Sequence, residues 1–388
     1  MSEKVVFVDR RGTDCGKWDD LTPKFGEEGL TAMWVADMDF KVPQAVIDAE
    51  KQYLDMGAFG YYRARDSYFD AFIEWEKKYH HYDVKREWIR FAPGVVPAIN
   101  WFLHIKTKPG DSVIVMTPVY YPFMDAVNNN GRNLVTSELI NNDGVYSIDF
   151  ADFEKKIIDN NVKVFVMSSP HNPVGRIWRK DELQKVMEIC KKHNVFVISD
   201  EIHHDLVNKG FEQITTATVG EYDDILVTVT AASKTFNLAA CQNSFVVIPN
   251  EQLRNQYDEY TSQIRVTSGT PFGYLAVEAA YRGGREWLEQ VMDIIYSNAT
   301  YVTETLTKEL PGVKVSPLEG TYLLWIDFSA YLKGDEIQQF MQKKCKLAFD
   351  YGDWFGGEKF ATFVRMNLAT SREIVEKAVK AIVENLKK

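Results

Sequence analysis

VFVISDEIHHD, residues 195–205, begins with an apolar, β-branched run and ends abruptly in charge. A run that is apolar at every position, rather than at alternate ones, reads as a strand covered on both faces, as in a parallel sheet. The same construction recurs on either side: VFVMSSPHNPVG at 164–175 and ILVTVTAASKTFNLA at 225–239 each carry a polar group just past the run. Farther out, SVIVM (112–116) and SFVVI (244–248) complete a rhythm extending from about Asp111 to Ile248. Amphipathic stretches fill the gaps. Between Asp181 and His193, Leu183, Val186, Met187 and Cys190 fall at i, i+3, i+4 and i+7, so a crossover helix is expected there. Strands and helices alternating in this way specify an α/β fold with a mainly parallel sheet.

In open parallel sheets, ligands bind beyond the carboxyl ends of the strands. Asn172, Asp200 and Lys234 all stand at that place in the pattern. An amide, a carboxylate and an amine converging on one edge suit a cofactor with a phenolate oxygen, a pyridine nitrogen and an aldehyde. A lysine in a desolvated, positively biased pocket has a lowered pKa, so Lys234 could form an imine and later carry a proton. Asp200 beside a ring nitrogen would hold it protonated and make the ring an electron sink. Asn172 would donate its amide to the ring oxygen. Each residue alone has an ordinary reading: a solvated lysine, an aspartate capping a helix, an Asn-Pro turn. Their order and shared placement are what make the set specific. Upstream, APGVVPAINWFLH (92–104) reads as a glycine turn entering a helix with Pro97 near its first turn. Gly94, Val95 and Val96 would there offer unpaired N–H groups to an anion, or simply form a loop-to-helix junction.

The rest of the composition bounds the possibilities. A chain of 388 residues suggests two or three domains, with 45% hydrophobic and 26% charged residues as in ordinary globular proteins. The formal charge of −10 argues against nucleic acid or an anionic membrane as partner and favours a small molecule. Cys15, Cys190, Cys241 and Cys345 have no CxxC spacing, and MSEKVVFVDRRGTD lacks the apolar core of a signal peptide, so free thiols, no zinc site and a cytoplasmic location are expected. No apolar run reaches the roughly 20 residues of a membrane helix. After about Arg285 the pattern changes to long helical periodicity, then TYLLWIDF (321–328), then a charged helix from about Ser371 to Lys388. Three parts are therefore expected: an N-terminal segment, 1–46, joining a small domain; a large domain, 47–284; and a small α+β domain, 285–388.

HNPVG (171–175), SDEIH (199–203), SKTFNLA (233–239) and VRMNLA (364–369) together resemble the fold-type I enzymes of aminotransferase class I/II, which use pyridoxal 5'-phosphate (PLP). MWVADMDF (33–40), FGYY (59–62), PVYYPF (118–123) and SKTFNLA are similar to the MalY/PatB branch of carbon–sulfur β-lyases, often called cystathionine β-lyases. The resemblance implies a three-layer, aspartate aminotransferase-like fold. It also implies Lys234 as the Schiff-base lysine, Asp200 on the pyridine nitrogen, Asn172 on the ring oxygen and Tyr120 stacked on the ring. Arg365 and the Ala36 backbone would hold the substrate α-carboxylate, with Tyr120 and Asn172 nearby. Tyr61 would reach the phosphate of a neighbouring subunit, so a homodimer with shared active sites is implied. The chain departs from the wider family at Ala231 and Gln242, where many relatives have a serine and an arginine on the phosphate. Ser233 remains as a hydroxyl ligand, and His203 replaces a tyrosine near the ring oxygen.

The same residues serve two reactions. With a thiolate leaving group on Cβ, loss of the α-proton to Lys234 leads to elimination; without one, it leads to transamination. Trp34, Phe40, Tyr61, Tyr62 and Tyr120 suggest a pocket for a thioether side chain, though several could equally pack the core. The branch resemblance implies a β-lyase acting on S-substituted cysteines. An aminotransferase is the alternative within the fold, and a non-catalytic PLP-binding regulator the alternative of another class. The reading HHD at 203–205 gives no metal site, since adjacent side chains of an extended strand end point apart.

Overall fold

The computed structural model describes residues 4–387; residues 1–3 of the expected N-terminal segment and Lys388, the expected end of the last helix, lie outside it. Seven strands form the central sheet: β1 (Ile89–Ala92), β2 (Ser112–Thr117), β3 (Asn133–Glu138), β4 (Val164–Ser168), β5 (Phe196–Asp200), β6 (Leu226–Thr230) and β7 (Ser244–Val247). Their spatial order is β1-β7-β6-β5-β4-β2-β3. Only β7 runs against its neighbours. The five apolar runs of the sequence all become strands. β1 and β3 were not anticipated, and both are edge strands, which need not be apolar on every side and so carry a weaker signal.

Helices cover both faces, which is why the central strands are apolar throughout. On β4, Val164 and Val166 pack with Phe102 and Leu103 of the helix Val95–Lys106. Phe165 and Met167, pointing the other way, pack with Leu183, Val186 and Met187 of the helix Lys180–Lys192. The period-two alternation of a strand thus feeds two cores, one above and one below the sheet. Each fully buried aliphatic or aromatic side chain contributes on the order of 1.5–3 kcal/mol to holding the layers together. This is the α/β three-layer architecture that the sequence implied.

Beyond the long helix Arg285–Glu309 lies a second sheet, antiparallel, with strands in the order Lys314–Val315, Leu323–Asp327, Phe363–Asn367 and Asp350–Tyr351. The helix Arg372–Leu386 follows it. Thr31 and Ala32 pair in parallel with Leu347 and Ala348, so the N-terminal chain lies against C-terminal elements. Among the described residues, no helix is long and apolar enough to cross a membrane.

Candidate active site

The carboxyl ends of β4, β5 and β6 open onto a cavity of about 220 Å³. Its wall includes Ala36, Gly94, Val95, Val96, Tyr120, Asn172, Asp200, His203, Ser233 and Lys234, ten positions singled out in the sequence. Two others, Arg365 and Tyr61, do not form the wall.

Lys234 stands in a one-turn helix, Ala232–Thr235, just past β6. Its Nζ donates to the carbonyl of Ala36 at 2.7 Å. Burial pulls its ammonium down to a pKa of about 8, with Arg365 acting the same way, against the opposing pull of Asp37 and Asp200. Near neutral pH a useful fraction of this amine is therefore unprotonated and nucleophilic.

Asp200 ends β5, and burial raises its carboxyl to about 7, although the Ile202 N–H donates to Oδ1 at 3.0 Å and partly offsets the effect. Among the described residues no cation forms an ion pair with it. Lys234 and His204 offset the burial only in part, and a buried carboxylate with no cation paired to it is what a protonated pyridine nitrogen would complete. His203 is buried nearby, its ring edge-on to Tyr322 at 6.0 Å between centroids. Burial, together with Lys234 and Arg365, holds its imidazole well below the usual range, so it is neutral. The chain turns after Asp200 rather than continuing extended, and His204 Nε2 comes within 3.5 Å of Asp205 Oδ2. The expectation that these neighbouring side chains point apart is corrected by that turn.

Asn172 Oδ1 accepts from Arg365 Nη1 at 3.0 Å, which leaves the amide nitrogen as the free donor. Arg365 comes from the strand Phe363–Asn367 and is 1% exposed. Its Nη2 reaches the Trp34 carbonyl at 3.4 Å and pairs with Asp350, while Nε has no partner. The guanidinium is thus held by Asn172, Trp34 and Asp350 through three of its five N–H groups, with Nε–H and the second Nη1–H uncommitted.

At the other end of the cavity, Gly94 precedes the helix Val95–Lys106, whose start has no side-chain cap. Its first N–H groups remain available to an anion, as anticipated. Ser233 and Gln242 line the same cavity, whereas Ala231 is fully buried. Tyr61 lies on the surface, fully exposed. Of the five aromatics considered for a thioether pocket, only Tyr120 reaches the wall. Trp34 packs edge-on to Phe25, Phe40 is buried in the core, and Tyr62 stacks on Tyr274.

Several residues that hold the site were missed. Asn237, in the left-handed conformation (φ 59°), accepts from Met38 N–H and donates to the carbonyls of Met38 and Phe40. Asn367 donates to the carbonyl of Asp37 at 2.7 Å and also to that of Val35. Tyr322 donates to the same Ala36 carbonyl that Lys234 uses. Asn237 and Asn367 lay inside motifs already noticed, and Tyr322 inside the stretch TYLLWIDF; Asp350 carried no sequence signal of its own.

Known proteins resemble this chain over nearly its whole length. The family model for aminotransferase class I and II matches residues 31–382. Cystathionine beta-lyase PatB of Bacillus subtilis is 39% identical over 96% of this chain and 97% of its own. The crystal structure of cystalysin from Treponema denticola, which contains a pyridoxal 5'-phosphate cofactor, superposes with a TM-score of 0.95 at 36% identity, covering 100% of this chain and 99% of that one. The PLP-bound C-S lyase of Staphylococcus hominis gives a TM-score of 0.93 at 31% identity, over 99% of this chain and 97% of that one.

Proposed function

Since the chain belongs to the aminotransferase class I and II family, we propose that it is a PLP-dependent carbon–sulfur β-lyase. It cleaves L-cystathionine or other S-substituted L-cysteines by α,β-elimination to a thiol, pyruvate and ammonia. The observation that carries this reading is the meeting of the Lys234 amine, the Asp200 carboxylate and the Asn172 amide around one cavity, in a chain 39% identical to a cystathionine beta-lyase.

The donor set fits PLP. Lys234, as a partly unprotonated amine, is suited to hold an aldehyde. Asp200, buried with no cation paired to it among the described residues, is suited to a protonated ring nitrogen. Asn172 has its oxygen committed to Arg365 and its nitrogen left to donate to the ring oxygen. Val95 and Val96 N–H groups, with Ser233 and Gln242, suit a phosphate without a full cation. When bound, PLP supplies a ring that accepts the electron pair left on the substrate Cα, and so loosens a sulfur leaving group on Cβ.

The chain's own residues do the rest. Arg365, with its two uncommitted N–H groups, and the backbone of Ala36 grip the α-carboxylate. Lys234 Nζ takes the α-proton, and its place beside the Ala36 carbonyl is where the released amine would rest. His203, neutral and buried, contributes no competing charge beside the ring oxygen. Tyr120 at the wall would stack on the ring.

Of the stretches 1–46 and 285–388, the described residues 4–46 and 285–387 form a small domain, and 47–284 the large one. The enzyme works as a homodimer in the cytoplasm, with the exposed Tyr61 reaching the phosphate held by its partner subunit. Support for the dimer is the position of Tyr61, outside its own chain's cavity and fully exposed.

The test is to supply the PLP-saturated protein with L-cystathionine and, separately, S-methyl-L-cysteine, and to measure pyruvate and free thiol with and without 2-oxoglutarate. Equal yields of pyruvate and thiol, independent of the oxo acid, are expected. Glutamate formation from an amino donor without thiol release would replace the lyase with an aminotransferase. Silence in both assays would leave the non-catalytic reading.

A further inference from the structure

A helix of four residues cannot hold itself, because the cost of ordering its turn is not recovered by so few hydrogen bonds. The Ala232–Thr235 turn that carries Lys234 must therefore be fixed from outside. The residue following the lysine supplies an anchor: Thr235, fully buried, donates from Oγ1 to Asp205 Oδ2 at 2.7 Å.

Asp205 is itself locked. Its Oδ1 accepts from Trp75 Nε1 at 2.8 Å and lies 2.8 Å from His80 Nε2. His204 Nε2 stands 3.5 Å from Asp205 Oδ2, 3.6 Å from Glu76 Oε1 and 3.3 Å from Thr230 Oγ1. Trp75 and Glu76 belong to the helix Asp66–Tyr79, and His80 caps its end. The cluster thus joins that helix to the strand end carrying Asp200 and to the lysine turn. None of Glu76, His80, His204, Asp205 or Thr235 forms the wall of the cofactor cavity.

The charges in the cluster favour a strong anchor. Burial opposes ionisation of Asp205, but His204 and the hydrogen bonds around it outweigh burial and hold its carboxyl well below the usual range. Burial likewise opposes protonation of His204, yet Glu76 and Asp205 lift it to about 9. Thr235 therefore donates to an ionised carboxylate, a bond roughly twice as strong as one between neutral groups. Glu76, His80 and His204 are also of metal-ligating type and lie close together. The rings of His80 and His204, however, stack 4.0 Å apart at 14°. Their lone pairs run in nearly parallel planes and cannot both meet one ion, so the set suits a hydrogen-bonded ionic cluster rather than a metal centre.

We propose that Thr235 is a positioning residue for the reaction, tying the turn that carries Lys234 through Asp205 to the buried Glu76–His80–His204 cluster and so fixing the amine's place and proton affinity. This rests on reading Lys234 as the cofactor lysine.

The test compares Thr235→Val, which keeps the shape and removes the hydroxyl, with Thr235→Ser, which keeps the hydroxyl. In the PLP-loaded enzyme the readouts are kcat, KM and the pH titration of the absorbance of lysine-bound cofactor. In the cofactor-free protein, the pH dependence of Lys234 acylation is followed by mass spectrometry, with a melting curve beside it. Thr235→Val is expected to lower kcat about tenfold, the equivalent of one lost hydrogen bond, with KM nearly unchanged. It is also expected to displace both titrations by at least about half a pH unit. Thr235→Ser restores wild-type values. Titrations unmoved in Thr235→Val, or Thr235→Ser no better than Thr235→Val, would overturn the proposal even if both proteins melt earlier. Should Thr235→Val not fold, Thr235→Ala takes its place in the same comparison. Failure of the underlying reading is separable: a Lys234→Ala protein that keeps the lysine-type absorbance would remove Lys234 from its role whatever the Thr235 variants do.

Discussion

Arg365 Nη1 donates to Asn172 Oδ1 at 3.0 Å, linking the C-terminal sheet to the loop that follows β4. The residue suited to grip the substrate carboxylate therefore also fixes the orientation of the amide suited to the cofactor. Changing Arg365 is expected to act on both. Arg365→Lys keeps the charge but loses the planar fork. KM for the amino-acid substrate will rise about tenfold or more, the loss of a charge-assisted hydrogen bond, and kcat will fall as Asn172 loses its partner. A KM increase with unchanged kcat would show that the amide does not depend on the arginine.

Asp200 makes a pH-dependent stability prediction for the cofactor-free chain. Its carboxyl is raised from 3.8 to about 7 by burial. Between those values the folded chain keeps a proton that the unfolded chain has released, so stability falls as pH rises from about 4 to about 7 and stays low above that. The full span is on the order of 4 kcal/mol. Asp200→Asn cannot ionise and escapes the penalty. Urea denaturation of the two cofactor-free proteins is expected to favour the variant at pH 8 and to bring them together toward pH 4. Parallel behaviour across the range would argue that Asp200 is not buried alone.

Asn237 is the peg of the segment that contains Ala36. Its three hydrogen bonds to Met38 and Phe40 need the amide, and its φ of 59° disfavours residues with a plain Cβ. Asn237→Ala is expected to destabilise the protein by about 2–4 kcal/mol from lost bonds and backbone strain together. A loss under half of that in a denaturant titration would mean that Asn367 and Tyr322 hold the segment without it.

The exposed Tyr61 allows a complementation experiment. If Tyr61 serves the neighbouring subunit, a mixed dimer of Tyr61→Ala and Lys234→Ala chains has one site with an intact lysine and an intact partner tyrosine. Unfolding and refolding the two variants together should then recover about a quarter of wild-type activity, since half the dimers are mixed and each has one complete site. Recovery no greater than the sum of the separate variants would count against shared sites.

Much of this was legible in the residues themselves because it depends on local pattern. The runs at 113–116, 164–167, 195–198, 225–227 and 245–248 are apolar because helices cover both faces of the sheet, and a polar residue shortly beyond three of them marks the edge where ligands meet it. Lys234, Asp200 and Asn172 could be placed from that rule, and the Gly94 turn from its own pattern of a glycine entering a helix. The edge strands Ile89–Ala92 and Asn133–Glu138 could not, since a strand with one open side is not obliged to be apolar throughout.

What only the tertiary structure decided are contacts between residues far apart in the chain, for which no periodicity exists. The bond from Asn172 to Arg365 spans 193 positions and that from Lys234 to Ala36 spans 198. The partners Asp350, Tyr322 and Asp205 look in the sequence like any other polar residue near a strand. They matter because folding removes them from water together, where an unpaired charge or hydrogen-bonding group is costly and each must find its partner. The sequence determined which chemistry stands at the sheet edge; the packing of the N-terminal segment and the C-terminal sheet against that edge decided how each group is held, protonated and aimed.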